Sequence, residues 1–216
     1  MAEPRPSSRR TLVKVTLPLV AAAVLAVVFW QTVTGARRTP YQLSRATQGQ
    51  WRVALVPSPG PNEAALVLDP PPELPRELFD QVFKRSMESM SAPELPGIPL
   101  VLETELARMG AARPAPGALL ELARQAGLGA SPPVPRCVGH RRAPEPDVRQ
   151  QVFFAIFDVP GYAAFRAELA KRGATLDERV SAPVMVAGVV ESSSQRWLPL
   201  SADPERDCVA PIAIGH

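Results

Sequence analysis

The chain has 216 residues, 46% of them hydrophobic and 21% charged, which is enough for one domain with a hydrophobic core. Its 13 glycines exclude collagen, and its two cysteines exclude a Cys-dense secreted scaffold, although 26 prolines are more than twice the usual share of about 5%. Six basic residues and one acidic residue lie in the first 39 positions, and the remainder is nearly neutral. This distribution lacks the clustered basic face that phosphate binding needs, so we expect no nucleic-acid partner.

Residues 15–36 form an uncharged, almost wholly apolar run. A helix needs about 20 such residues to cross a hydrocarbon layer of roughly 30 Å, so the run predicts a transmembrane signal anchor in contact with the lipid bilayer. A signal peptide cleaved after Gly35 is the alternative. Its hydrophobic region would exceed the usual 7–15 residues or so, and the bulky Phe29 and Trp30 next to the cleavage site also argue against it.

The positive charges on the two sides of this run nearly balance, so the positive-inside rule alone does not fix the orientation. We place the N-terminus inside because a short tail without folded mass is the usual arrangement for a signal anchor. The predicted organisation of the cell-membrane protein is a cytoplasmic tail, an anchor, a linker and an extracytoplasmic domain, at residues 1–14, 15–36, 37–48 and 49–216.

The first half of the domain begins with two predicted strands around a Pro- and Gly-rich turn, which is typical of a hairpin. A helical period follows, in which Leu78 and Phe83 lie on the face that we predict to be buried. The next predicted strand contains Pro99, which cannot donate to a β-ladder and therefore indicates an edge strand. The predicted elements are strands at 51–56, 64–68 and 98–102, a helix from 74 to about 90, and short helices at 103–109 and 117–126.

The second half contains two strongly apolar strands, at 151–157 and 184–190, which we expect to be central and buried. A helix with Tyr162, Phe165 and Leu169 on one face connects them. The predicted core includes Leu78, Phe83, Phe154, Ile156 and Val186. Weaker signals indicate strands at 136–140, 197–200 and 209–214.

The two halves share an order of elements: a strand ending in Asp, a proline, a helix ending in Lys-Arg, and an apolar strand. This similarity suggests a duplicated β-α-β unit, although prolines at helix starts and Lys-Arg at helix ends also recur by chance. Together the elements predict an α+β fold, with one transmembrane helix followed by a single domain of mixed β-sheet and helices packed on it.

Cys137 and Cys208 are the only cysteines, and an even pair outside the cytoplasm predicts a disulfide that fixes the C-terminal tail to the sheet. A zinc site is the alternative, because His140 and His216 would complete a Cys2His2 set. The second spacing is loose and His216 is terminal, so we predict neither a metal nor another cofactor.

Local motifs for catalysis are missing: the sequence has no Gly-x-Ser-x-Gly elbow, no P-loop and no dinucleotide fingerprint. Two acidic groups could act as paired carboxylates, namely Glu103 with Glu105, and Asp203, Glu205 and Asp207. The favoured hypothesis is a membrane-anchored, non-catalytic domain that binds a protein partner as an accessory or assembly factor. The alternative is an anchored enzyme or metal-binding protein that uses acidic residues or Cys137, His140 and Cys208.

Overall fold

The computed structural model describes residues 24–28, 39–94, 96–142, 151–190 and 202–215. The chain divides into two compact units, residues 1–39 and 40–216. In the first unit, residues 24–28 are helical and their valine and leucine side chains are more than half exposed. Within the described ranges, no helix combines the length and apolarity needed to cross a membrane. Most of the predicted anchor and all of the predicted tail lie outside those ranges, so both stay predictions.

The described part of the second unit contains nine strands, five helices and three 3₁₀ turns. The strands are β1 (Tyr41–Leu43), β2 (Arg52–Leu55), β3 (Ala64–Asp69), β4 (Met90–Ser91), β5 (Ile98–Leu102), β6 (Val134–Arg142), β7 (Gln151–Asp158), β8 (Val184–Val190) and β9 (Cys208–Ile214). The helices are α1 (Glu73–Ser86), α2 (Glu103–Arg108), α3 (Pro116–Gln125), α4 (Tyr162–Lys171) and α5 (Pro204–Asp207), and the 3₁₀ turns are Arg45–Gln48, Gly110–Ala112 and Glu178–Val180.

The α+β class is confirmed, but the strands form two sheets instead of one. One sheet has six strands in the order β1-β9-β6-β7-β8-β4, and it is mixed because only β1 and β9 pair in parallel. The other has three antiparallel strands in the order β2-β3-β5. Pro99 lies within β5, at the edge of the smaller sheet, as predicted. Because proline lacks the N–H of a ladder donor, β5 is poorly suited to continue into the larger sheet.

Most of the described part of the segment predicted as a linker, residues 37–48, contributes to the fold. Tyr41–Leu43 pairs with β9 as strand β1, and Arg45–Gln48 forms a 3₁₀ turn. In the second half of the proposed repeat α4 lies between β7 and β8, as expected, whereas in the first half the short strand β4 intervenes between α1 and β5. In each half the two flanking strands, β3 with β5 and β7 with β8, pair directly and antiparallel, so the helix lies in the connection between two adjacent strands of one sheet. Duplication itself stays a prediction.

One hydrophobic core is shared by the two sheets and helices α1 to α4, and a second cluster includes buried residues on the opposite face of β7 and other buried residues of β8. Both faces of β7 are therefore buried, as its continuous apolar sequence predicted. Four of the five predicted core residues are buried: Leu78, Phe154, Ile156 and Val186.

Phe83 is the exception, because 46% of its surface is exposed. The buried face of α1 is formed by Leu74, Leu78 and Val82, which are spaced four residues apart. Phe83 lies one residue further along, about 100° around the helix, and stacks on Phe79 with ring centroids 6.0 Å apart.

We expect Phe154→Ala to lower the free energy of unfolding by about 3–5 kcal/mol, because the deleted ring is fully buried. Phe83→Ala is the matched control, and it should cost less than about 1 kcal/mol because the ring is half exposed. Denaturant unfolding of residues 40–216 measures both changes. Equal losses for the two variants would contradict the assigned burial.

Candidate functional site

Cys137 and Cys208 form a disulfide, as predicted from the sequence. Their Cα atoms lie 5.7 Å apart, within the range that a disulfide can bridge. Cys137 is buried in β6, and Cys208 is the exposed first residue of β9, which pairs antiparallel with β6. The C-terminal tail therefore folds back onto the larger sheet.

His140 does not join these cysteines in a metal site. Its ring stacks on Phe153 with centroids 4.5 Å apart, and its Nε2 lies 2.8 Å from Oε1 of Gln151. Burial lowers the pKa of His140, an effect that the hydrogen bond with Gln151 opposes. The bonded cysteines present no thiolate, the form in which cysteine binds zinc. The described residues contain no group of three or more His, Cys, Asp or Glu side chains that could hold a metal ion, and His216 lies outside them.

Asp203 and Asp207, two of the three acidic candidates near the C-terminus, have structural contacts. Asp203 precedes α5 and its Oδ1 accepts a hydrogen bond from the N–H of Glu205 at 2.9 Å, which caps the helix. Asp207 Oδ2 accepts from Nη2 of Arg141 at 2.5 Å and from the N–H of Asp203 at 2.9 Å. The carboxylate of Asp207 therefore holds the turn before β9 against the end of β6.

Glu103 and Glu105 differ in burial and in their ion-pair partners, so they do not form a pair of carboxylates in one environment. Glu103 forms a partly exposed ion pair with Arg113, whereas Glu105 is fully buried beside Arg166, which is 6% exposed. The Arg166 guanidinium donates two parallel bonds to Glu105, from Nη2 to Oε1 at 2.6 Å and from Nη1 to Oε2 at 2.8 Å. This two-pronged geometry is the strong form of an Arg–carboxylate pair.

Backbone groups complete this buried network. The N–H groups of Leu102 and Asp177 donate to the two oxygens of Glu105 at 2.8 and 2.6 Å, and Nη1 of Arg166 donates to the carbonyl of Leu100 at 3.1 Å. Each oxygen of Glu105 thus has two donors. The group links α2, α4, the end of β5 and the loop before β8, and its saturation with hydrogen bonds favours a structural role over acid–base chemistry.

Polar contacts around Tyr162 and Asp177 extend this network. The hydroxyl of Tyr162 donates to the carbonyl of Val180 at 2.7 Å, and burial raises the pKa of that hydroxyl. Hydrogen bonds from the Arg179 side chain lower the pKa of Asp177 to about 2. The acid therefore stays ionised at neutral pH beside its arginine.

A groove of about 650 Å³ lies at the N-terminal end of α1. This volume falls within the usual range of ligand pockets. Its walls come from the start of β2, the β3–α1 connection, the first turns of α1 and the β4–β5 connection. The lining residues are Gln50, Arg52, Asp69, Pro70, Pro71, Pro72, Pro75, Arg76, Phe79, Ala92, Pro93 and Pro96.

The sequence explains the shape and charge of the groove. Each of its six prolines fixes a φ angle, so the walls lose little conformational entropy when a ligand binds. Pro75 is in the first turn of α1, where a helix tolerates a missing N–H. Arg52 and Asp69 are cross-strand partners, and Arg76 adds a second guanidinium to the lining. Most residues that line the groove are therefore apolar, and its charged residues give a small excess of positive charge.

Comparison with known proteins yields no significant match for this chain: no family model, no curated protein and no solved structure matches it. Its functional interpretation consequently depends on the residues and geometry described above.

Proposed function

We propose that this chain is a single-pass membrane protein whose extracytoplasmic domain binds a protein partner as a non-catalytic accessory or assembly factor. Residues 15–36 would cross the bilayer, with residues 1–14 in the cytoplasm. The uncharged length of that run supports the anchor. The disulfide between Cys137 and Cys208 supports an oxidising compartment for the domain.

The groove at the N-terminal end of α1 is the observation that carries partner binding. An extended peptide segment with apolar side chains would pack against the proline walls and Phe79. A carboxylate on that segment would complement Arg52 and Arg76, which outnumber the single acid Asp69 in the lining. The preformed walls would keep the entropic cost of binding low.

A photo-crosslinking residue at Pro93 of the full chain should form a discrete adduct with one protein in native membranes. Charge reversal by Arg76→Glu in the same chain should reduce the adduct at least about tenfold, because the groove then repels the partner's carboxylate. The readout is the adduct band and the partner peptides identified by mass spectrometry.

Arg124→Glu is the matched control, since Arg124 is an exposed helical arginine in α3 that is absent from the groove lining. We expect the adduct to persist in this variant. An adduct that is equally strong in Arg76→Glu, or no adduct at all, would contradict binding in the groove.

A further inference from the structure

The C-terminal half of α1 carries an exposed apolar surface that the groove does not include. Phe83 is 46% exposed, and Met87, which ends the helix, is 91% exposed. Met87 has the highest exposure of any large hydrophobic side chain in the described residues. Lys84 lies between them in sequence and is also exposed. Phe83, Lys84 and Met87 are together called the α1 tip.

The backbone conformation of Met87 is one that favours glycine, so the stability of the domain does not explain why an exposed methionine occupies this position. Met87 adopts φ 56° and ψ 21°, the left-handed conformation that glycine usually occupies after a helix. Its N–H closes the helix by donating to the carbonyl of Phe83 at 3.2 Å. A side chain at this position adds steric cost, and at 91% exposure it gains almost no packing within the domain. An apolar environment outside the domain would account for the methionine.

The start of the domain lies along the last turns of α1, on the flank of the helix that carries Gln81 and Arg85. Nη2 of Arg85 donates to the carbonyl of Pro40 at 2.6 Å, and its guanidinium lies 3.9 Å from the centre of the Tyr41 ring. The next residue, Gln42, exchanges hydrogen bonds with Gln81. Strand β1 is thus held along the last turns of α1, and the chain enters the domain at that end of the helix.

The sequence leaves only three residues between Ala36, the last residue of the proposed anchor, and Pro40. Even fully extended, the chain from Ala36 to Pro40 spans no more than about 14 Å. A chain anchored through residues 15–36 therefore holds Pro40, and with it the C-terminal end of α1, close to the lipid headgroups.

We propose that the α1 tip contacts the lipid bilayer on the domain's side of the membrane, an inference that rests on the proposed anchor. Phe83 and Met87 would enter the boundary between headgroups and acyl chains, and Lys84 would extend to anionic headgroups. Glu88 follows Met87, and its carboxylate would be repelled by anionic headgroups. Burial of the apolar side chains would therefore supply most of the attraction to the bilayer. The contact would fix the orientation of the domain and leave the groove, whose wall begins one helical turn away at Phe79, for a protein partner.

A fluorescence experiment on the full chain in nanodiscs of mixed zwitterionic and anionic phospholipids tests this contact. The described cysteines are bonded to each other, so Met87→Cys introduces a single thiol for an environment-sensitive fluorophore. Nitroxide carried on the lipids should quench this probe at least about threefold more than a probe at Ala118→Cys. Ala118 is the matched control because it is an exposed helical residue in α3, beside the polar pair of Glu121 and Arg124.

A second variant separates lipid contact from simple proximity. Phe83→Asp in the Met87→Cys chain should reduce the lipid quenching at least about threefold, because a carboxylate is costly at the interface. Phe83 is half exposed, so this change should leave the fold intact, which circular dichroism checks.

The outcomes separate the inference from the proposed function. A chain that fails to co-purify with nanodiscs would overturn both the anchor and the lipid contact. A chain that remains in nanodiscs, with equal lipid quenching at positions 87 and 118, would overturn the lipid contact alone. A probe at position 87 shielded from both lipid nitroxide and aqueous iodide would overturn it in favour of a protein contact, such as a second copy.

Discussion

Replacing Arg166 with methionine should lower the free energy of unfolding by about 3–5 kcal/mol, because it leaves the Glu105 carboxylate buried without its countercharge. Glu105 is fully buried and Arg166 nearly so. Water therefore cannot easily solvate the charge that is left when either partner is replaced. The loss should appear as a shift in the denaturant midpoint of residues 40–216 with little change in slope.

The double variant Glu105→Leu with Arg166→Met is the informative control. Because it removes both charges, we expect it to be less destabilised than either single variant, although the N–H groups of Leu102 and Asp177 lose their acceptor. A loss below about 1 kcal/mol for Arg166→Met would show that the pair is hydrated in solution and does not stabilise the fold.

Cys208→Ser should lower the free energy of unfolding by about 4 kcal/mol, since the disulfide closes a loop between residues 71 positions apart. Cys208 is exposed, so the change removes little packing beyond the covalent link. Both chains are alkylated under denaturing conditions without reductant and analysed by mass spectrometry. The unaltered chain should gain no label, and the variant should gain one.

Reduction of the unaltered chain is the matched comparison, and it should lower the midpoint of unfolding by a similar amount. Alkylation of two thiols in the native chain before reduction would contradict the bond. It would also remove the structural support for an oxidising compartment.

The apolar strands could be predicted from the sequence because their burial is visible locally. Strand β8 begins and ends where its apolar run does, at Val184 and Val190, and β7 extends only one residue beyond its predicted end. Both strands are buried on two faces, so neither needed an alternating pattern to be detected. Strand β1 could not be found this way, because three residues in a polar segment depend on pairing with β9 near the other end of the chain.

Helix α1 shows the limit of periodicity. It has two apolar rows, one through Leu78 and Val82 and another through Phe79 and Phe83, and the spacing of residues identifies both equally well. Only tertiary packing determines that the first row is buried. The sequence therefore predicted the helix and its start, but it placed the end near residue 90 instead of at Ser86, and it predicted the burial of Phe83 incorrectly.

The polar network and the groove were missed for a similar reason. Glu105 occupies the third position of α2, where an acid that bonds back to the preceding N–H is a recognisable local signal. Its burial depends on Arg166, 61 residues away, for which the sequence has no corresponding signal. The excess of proline was evident, but the convergence of six prolines on one groove depends on two separate connections and the first turn of α1.

The parallel pairing of β1 with β9 has a consequence for how the protein folds during synthesis. The first described strand, Tyr41–Leu43, finds its partner at Ile212–Ile214, so the six-stranded sheet cannot be completed until that distant segment has been synthesised. Strands β2, β3 and β5 pair over a short stretch of sequence and can associate much earlier. We expect the smaller sheet to acquire protease resistance on the ribosome first, and β1 to dock only after β9 has been synthesised.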